Sequence, residues 1–181
     1  MPVRSLAMLA LMALTPAAAQ TGGPTPEQRM ERMEDESAIR RLLILYGTHL
    51  DARDFAAYAA LFAPEGEWVG GFGRFRGPAA IQAMLEKNYG TAKPGPAERT
   101  SQHFLSEPLI EIEGDRAHAV SHYLLLNRSE DDRPVPLRSG RYEDDLIRID
   151  GTWKIARRVT HGVIPYRDGN AASAGQQEKK P

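Results

Sequence analysis

Apolar positions recur at spacings of three and four along the first third of the chain. Over residues 27–50, Ile39, Leu42, Leu43, Tyr46 and Leu50 fall on one stripe. This predicts a long amphipathic helix whose earlier part, EQRMERMEDES, is charged and solvated. Asp54 suits the cap of a second, short helix with Phe55, Tyr58, Leu61 and Phe62 on its buried side. Ala63-Pro64-Glu65-Gly66 ends it, and a short hairpin over residues 67–69 and 72–76 turns around Gly70-Gly71. Gly77-Pro78 opens a third helix, with proline where its missing N–H costs little; Ile81, Met84 and Leu85 form its stripe. After a loop over residues 90–98 come four strand-like runs, about 100–113, 116–128, 136–149 and 152–164. Gly114-Asp115 and Asp150-Gly151 read as tight turns between neighbours. Three helices followed by an antiparallel meander predict an α+β fold, in which a curved sheet wraps the helices and leaves one concave pocket.

The two ends do not fit this pattern. Arg4 precedes an unbroken apolar run from Leu6 to Leu14, then Thr15-Pro16 breaks it before Ala17-Ala18-Ala19 and Gln20. That is the layout of a secretory signal peptide, and the run is too short to cross about 30 Å of hydrocarbon. The expected organisation is therefore a signal peptide over 1–19, a linker over 20–26 (QTGGPTP), a folded domain over 27–166 and a disordered tail over 167–181. The mature protein is expected in the periplasm or outside the cell, with no membrane attachment once the leader is removed.

Composition narrows the chemistry. Lys and Arg number 23 against 24 Asp and Glu, a net charge of −1, which argues against nucleic acid as a partner. Cysteine is absent, so disulfides, thiolate nucleophiles, iron–sulfur clusters and Cys-ligated zinc are excluded. The five histidines form no H-x-H or H-E-x-x-H pattern. His118 and His122 are four apart on a strand, which separates them by about 13 Å. No metal is expected. Gly70-Gly71-Phe72-Gly73 lacks the lysine and the strand–turn–helix setting of a phosphate cradle, and no G-x-S-x-G elbow occurs. No cofactor is expected.

His103, among Ser101, Gln102 and Phe104 on a strand, is suited to proton transfer near neutral pH if a partner fixes its tautomer. Asp51 at the C-terminal end of the first helix could be that partner. The helix dipole disfavours a carboxylate there, so its placement is not one for stability. Equally, Asp51-Ala52-Arg53-Asp54 reads as a solvated corner, and His103 as a hydrogen-bonded structural histidine. Tyr46 is either plain packing on the core stripe or a donor to a substrate oxygen. His122 shares strand parity with His118, Val120 and Leu124, and parity alone does not say which face meets the pocket.

The ordered segments AIRRLLILYGTHLDARDFAAYAALFAPEGEW, FRGPAAI, TSQHFLSEPLIEI and SGRYEDDLIRIDGTWKIARR resemble the SnoaL-like branch of the NTF2-like superfamily, over residues 37–164. The resemblance implies a cone-shaped barrel with three N-terminal helices packed in a curved, mostly antiparallel sheet. Within the branch the site pattern is most similar to the scytalone dehydratases, bile-acid 7α-dehydratases and hexachlorocyclohexane dehydrochlorinases. Asp51 and His103 match their Asp and His, Tyr46 matches a tyrosine of the bile-acid enzymes, and His122 falls where scytalone dehydratases carry a second histidine. The carboxylate that ketosteroid isomerases place after the second helix is missing: Trp68-Val69-Gly70-Gly71 stands there.

The resemblance implies a cofactor-free lyase acting on a small aromatic or cyclic substrate, by dehydration or by release of formaldehyde. A secreted, non-catalytic ligand-binding domain is the second reading, because one fold hosts many functions. Mutual geometry of Asp51 and His103 separates the two. Apolar residues on both parities of residues 116–128 (Val120 and Leu124; Tyr123 and Leu125) predict a homo-oligomer. The resemblance favours a trimer, with a dimer second.

Overall fold

A computed structural model of the protein describes residues 23–91 and 101–165. The expected signal peptide, the first three residues of the linker, the tail and most of the loop before the first long strand lie outside the described residues. Helix α1 spans Pro26–Asp51, α2 Phe55–Ala59 and α3 Pro78–Tyr89. Strands β1 (Phe62–Gly70), β2 (Gly73–Arg76), β3 (Ser101–Leu105), β4 (Leu109–Glu113), β5 (Arg116–Arg128), β6 (Pro134–Ile149) and β7 (Thr152–Ile164) form one seven-stranded mixed sheet. The sheet runs β2-β1-β7-β6-β5-β3, with β4 also on β5, and the β1–β7 pairing is parallel. It is curved and unclosed, and α1 packs in its concave side: the architecture is α+β and NTF2-like.

Local chemistry explains the helices. Thr25 caps α1 and Gln28 returns the bond to the Thr25 N–H, a reciprocal pair that satisfies two orphan donors. The stripe Ile39, Leu42, Leu43 and Tyr46 is buried as the spacing predicts. Asp54 caps α2 by accepting from the Ala57 N–H. The described residues before Asp35 on α1 are exposed, and Asp35 ties the helix to the far end of the sheet by accepting from Arg148 (2.9 Å) and from Trp153 Nε1 (2.8 Å).

Two expected boundaries move. α2 stops at Ala59, and Leu61 and Phe62, though buried, do not belong to it: Phe62 begins β1. The stretch Ala63–Gly66 is an irregularity within β1, not a terminator, because Pro64 cannot donate to the ladder and Gly66 lets the backbones touch. A Cβ on Gly66 would lie 2.6 Å from the Ile155 carbonyl oxygen. The run 100–113 is two strands rather than one. Ser106-Glu107-Pro108 interrupts it, and Ser106 stitches the break to β5 by donating its N–H to the His122 carbonyl and accepting the His122 N–H on Oγ. The Asp150-Gly151 turn has both residues at positive φ (48° and 75°), the geometry a two-residue hairpin requires.

Two irregularities decide which side chains enter the cone. In β7, Leu146 pairs with Ile155 but Asp145 pairs with Arg157, so Ala156 is an extra residue. That bulge turns Arg158 inward beside Ile155 and Trp153. At Gly140 of β6 the absence of a side chain makes room for Tyr123. A Cβ there would run into the His161 carbonyl oxygen and lie 2.6 Å from the Tyr123 ring. Gly140→Ala is expected to lower stability by about 1–3 kcal/mol or more, read from a denaturant melt, because the backbone of β7 cannot retreat. An unchanged midpoint would contradict the close approach.

Candidate active site

Asp51 is the last residue of α1. Ala52 and Arg53 donate back to Thr48 and Leu50, and Arg53 adopts φ 56° to turn the chain away. The carboxylate therefore sits at the negative end of the helix, where it needs donors. His103 on β3 supplies two. Its backbone N–H donates to Asp51 Oδ2 at 2.8 Å, and its ring Nδ1 lies 2.6 Å from Oδ1. Both side chains are largely buried, 9% exposed for His103 and 16% for Asp51. The corner read from Asp51-Ala52-Arg53-Asp54 exists, but Asp51 itself points into the fold. A carboxylate only accepts, so in the neutral ring the proton belongs on Nδ1 and the lone pair on Nε2. Nε2 has no hydrogen bond among the described residues.

Gly47 on α1 packs against His103, with room for no more than an ordinary contact between them (3.5 Å to Cβ). Three cavities border the dyad. One of about 610 Å³ wraps the outer edge of β3 and includes Asp51, Gln102, Phe104 and Asn127. A second, of about 270 Å³, opens beside Asp51, Arg53, Phe72, Tyr89, Leu125 and Arg138. The third, about 120 Å³, is the cone interior, walled by Tyr46, Tyr58, Trp68, Phe72, Tyr89, Tyr123 and Tyr142. His103 is the one residue common to all three. We take the two inner cavities as the candidate site, because they combine aromatic walls with the dyad.

Tyr46 is buried at 2% exposure. Its hydroxyl accepts from Trp68 Nε1 at 3.0 Å, and its ring lies 3.7 Å from the Arg158 guanidinium carbon. Packing and site are thus the same place: the hydroxyl belongs to the wall of the innermost cavity. His122 is not brought to it. β5 alternates, with Ser121 and Tyr123 buried and His122 exposed on the opposite face, lining none of the three cavities. Among the described residues no three His, Asp or Glu side chains converge on a point that could hold a metal.

Several site residues carry no motif in the sequence. Arg158 and Asp144 are both fully buried and form a two-point ion pair, Nε–Oδ1 2.5 Å and Nη2–Oδ2 2.6 Å. Burial works against the Arg158 charge, but the Asp144 carboxylate outweighs it and holds the guanidinium well above its ordinary pKa. The guanidinium also lies over Tyr142, at 4.4 Å. Burial drives the Tyr58 and Tyr142 hydroxyls well above the ordinary tyrosine range, so both are neutral donors. Tyr123 stacks on Tyr142 with centroids 4.5 Å apart and sits 6.4 Å from the His103 ring. Burial raises Tyr123 and Tyr89 too, while the Arg138 charge pulls both the other way.

The SnoaL-like domain model matches residues 31–159, most of the described chain. The chain belongs to the SnoaL-like family. An NTF2-like protein with a cystatin-like fold from Novosphingobium aromaticivorans superposes with a TM-score of 0.67 at 25% identity, covering 80% of this chain and 92% of its own. A candidate scytalone dehydratase from the same organism gives 0.61 at 27%, covering 75% and 88%. LinA gives 0.64 at 20% identity, covering 84% and 99%, a likeness of fold. No curated protein matches the sequence. As a SnoaL-like domain the chain is placed in the NTF2-like superfamily.

Proposed function

We propose that the SnoaL-like domain is a cofactor-free lyase in which Asp51 and His103 form the general base. The observation that carries the reading is the 2.6 Å contact between Asp51 and His103 Nδ1, with Nε2 left unpaired at an aromatic cavity. The likeness to a candidate scytalone dehydratase supports it. Nε2 takes a proton from a small aromatic or cyclic substrate, and the electron pair of that bond forms the new double bond as hydroxide leaves. The imidazolium, stabilised by Asp51, returns its proton to the hydroxide as water, so atoms balance without an electron acceptor. The same base acting on a hydroxymethyl O–H would release formaldehyde: the O–H electron pair forms its C=O, the broken C–C pair forms a new C=C, and a neighbouring hydroxyl leaves as hydroxide, which takes the proton back from the imidazolium as water. Tyr46, through its own O–H, is positioned to donate to a substrate oxygen at the cavity wall.

Incubation of the purified protein with pools of aromatic and steroid alcohols, followed by untargeted mass spectrometry, tests the reading. Products lighter by one water, or by one formaldehyde and one water, are expected with the wild type and not with His103→Ala. Binding without any mass change would favour the second reading, a ligand-binding domain.

The natural form of this lyase is proposed to be exported and oligomeric. N-terminal sequencing from the native host should find a chain starting at or near Gln20; an intact Met1 in the cytoplasm would refute export. The outer face of the sheet exposes Phe104 (48%), Leu124 (39%) and Leu109 (77%), with Phe104 directly across from Leu124. α1 lies on the other side and does not cover them. A second and third copy of the chain are the proposed cover, and light scattering should give a trimer mass. A monomer at micromolar concentration would contradict this.

A further inference from the structure

Three charged side chains project into the cone from β6 and β7. Asp144 and Arg158 neutralise each other. Arg138, on the same face of β6 as Tyr142 and Asp144, has no carboxylate within 4.0 Å among the described residues, and its Nε is buried without a hydrogen-bond partner. Arg53, at the cavity mouth, also has no carboxylate partner among the described residues; its side chain donates to the Tyr89 carbonyl. Among the described residues Asp51 is the one acid lining the two inner cavities, and both its oxygens are engaged by His103. Among the described residues the inner cavities therefore hold two cations against one committed anion, between aromatic walls.

The ladder register fixes where the free cation stands. His103 pairs with Leu125, and Leu125 pairs with Arg138, so the three share one row across β3, β5 and β6. Two strand spacings place the His103 and Arg138 backbones about 10 Å apart. Both side chains line the two inner cavities, so one aromatic ligand can touch both. A buried guanidinium donor without an acceptor is costly, and its planar fork fits an oxyanion.

We propose that the substrate carries an oxyanion, a carboxylate or phenolate, which Arg138 binds while the rest of the molecule lies against His103; this rests on the reading of the inner cavities as the lyase site. Arg138 thereby sets specificity for anionic aromatic substrates and fixes the reacting bond relative to Nε2. Arg53 adds positive potential at the entrance.

Calorimetry on the full chain tests this with two probe pairs, 2-naphthoate against 2-naphthamide and 4-nitrophenolate against 4-nitroanisole. At least one anion should bind about tenfold or more tighter than its neutral counterpart, the scale of a charge-assisted bond. Arg138→Gln should bring that ratio to about twofold or less, with Arg138→Lys in between. The first pair reads a carboxylate and the second a phenolate. His103→Gln should keep the preference, so a failure of the lyase reading is told apart from a failure of this one. No preference in either pair, or a preference that survives in a folded Arg138→Gln, would overturn the proposal. The wild-type comparison stands even if a variant does not fold.

Discussion

His103→Ala is expected to lower kcat/KM for the elimination by about 10²–10⁴-fold, the range a positioned acid–base group supplies. The reason is local. Nε2 is the ring nitrogen without a hydrogen bond among the described residues, on a side chain that lines the inner cavities, while Nδ1 is held 2.6 Å from Asp51. No other histidine stands in for it, because His122 faces away and lines none of the three cavities. Asp51→Asn should cost a similar order. An amide can turn its NH₂ toward Nδ1, which places the proton on Nε2 and removes the base. It also gives up the charge that stabilises the imidazolium. If His103→Ala retained activity within a few-fold of wild type, the dyad would be structural.

The largest stability effect is expected at the buried ion pair. Asp144→Asn should destabilise the domain by about 3–5 kcal/mol, because it leaves the Arg158 charge in the core without its anion. Both partners are fully buried, so solvent offers no replacement. The Tyr46 and Tyr142 rings at 3.7 and 4.4 Å hold the guanidinium but do not neutralise it. The pair is not predicted to exceed well-packed apolar residues in stability. The double variant Asp144→Leu with Arg158→Met should therefore recover much of the loss. Thermal melts of the single and double variants distinguish the two cases: a double variant as unstable as Asp144→Asn would mean that the rings depend on the guanidinium itself. Since Arg158 supports the Tyr46 ring, and Trp68 donates to the Tyr46 hydroxyl, this pair also positions the wall of the candidate site.

How much of this was legible in the sequence differs residue by residue. The α1 stripe and the Asp150-Gly151 turn follow from spacing and turn chemistry, and the structure has both. Asp51 and His103 were readable as a pair by their chemistry and by the family pattern, and they are within hydrogen-bond distance. His122 was not readable, because parity gives two faces without saying which is inside. Arg158 was hidden by the bulge at Ala156. Counting by twos from Trp153 and Ile155 puts Arg157 inside, and the extra residue reverses it. Pro108 was the available sign that residues 100–113 form two strands, since proline seldom continues a ladder. Arg138 shares parity with Tyr142 and Asp144, so a charge on a buried face was there to be noticed. Its lack of a partner is a fact of three dimensions only.

The central claim is that Asp51 holds His103 with its lone pair on Nε2, facing the aromatic cavity. ¹⁵N NMR of the histidine-labelled protein measures this without knowledge of the substrate. In the neutral ring the wild type should show a protonated Nδ1 and a bare Nε2, and Asp51→Asn should lose that fixed tautomer. A wild-type spectrum with the proton on Nε2 and a bare Nδ1 would contradict the account, since that nitrogen could not then act as the base.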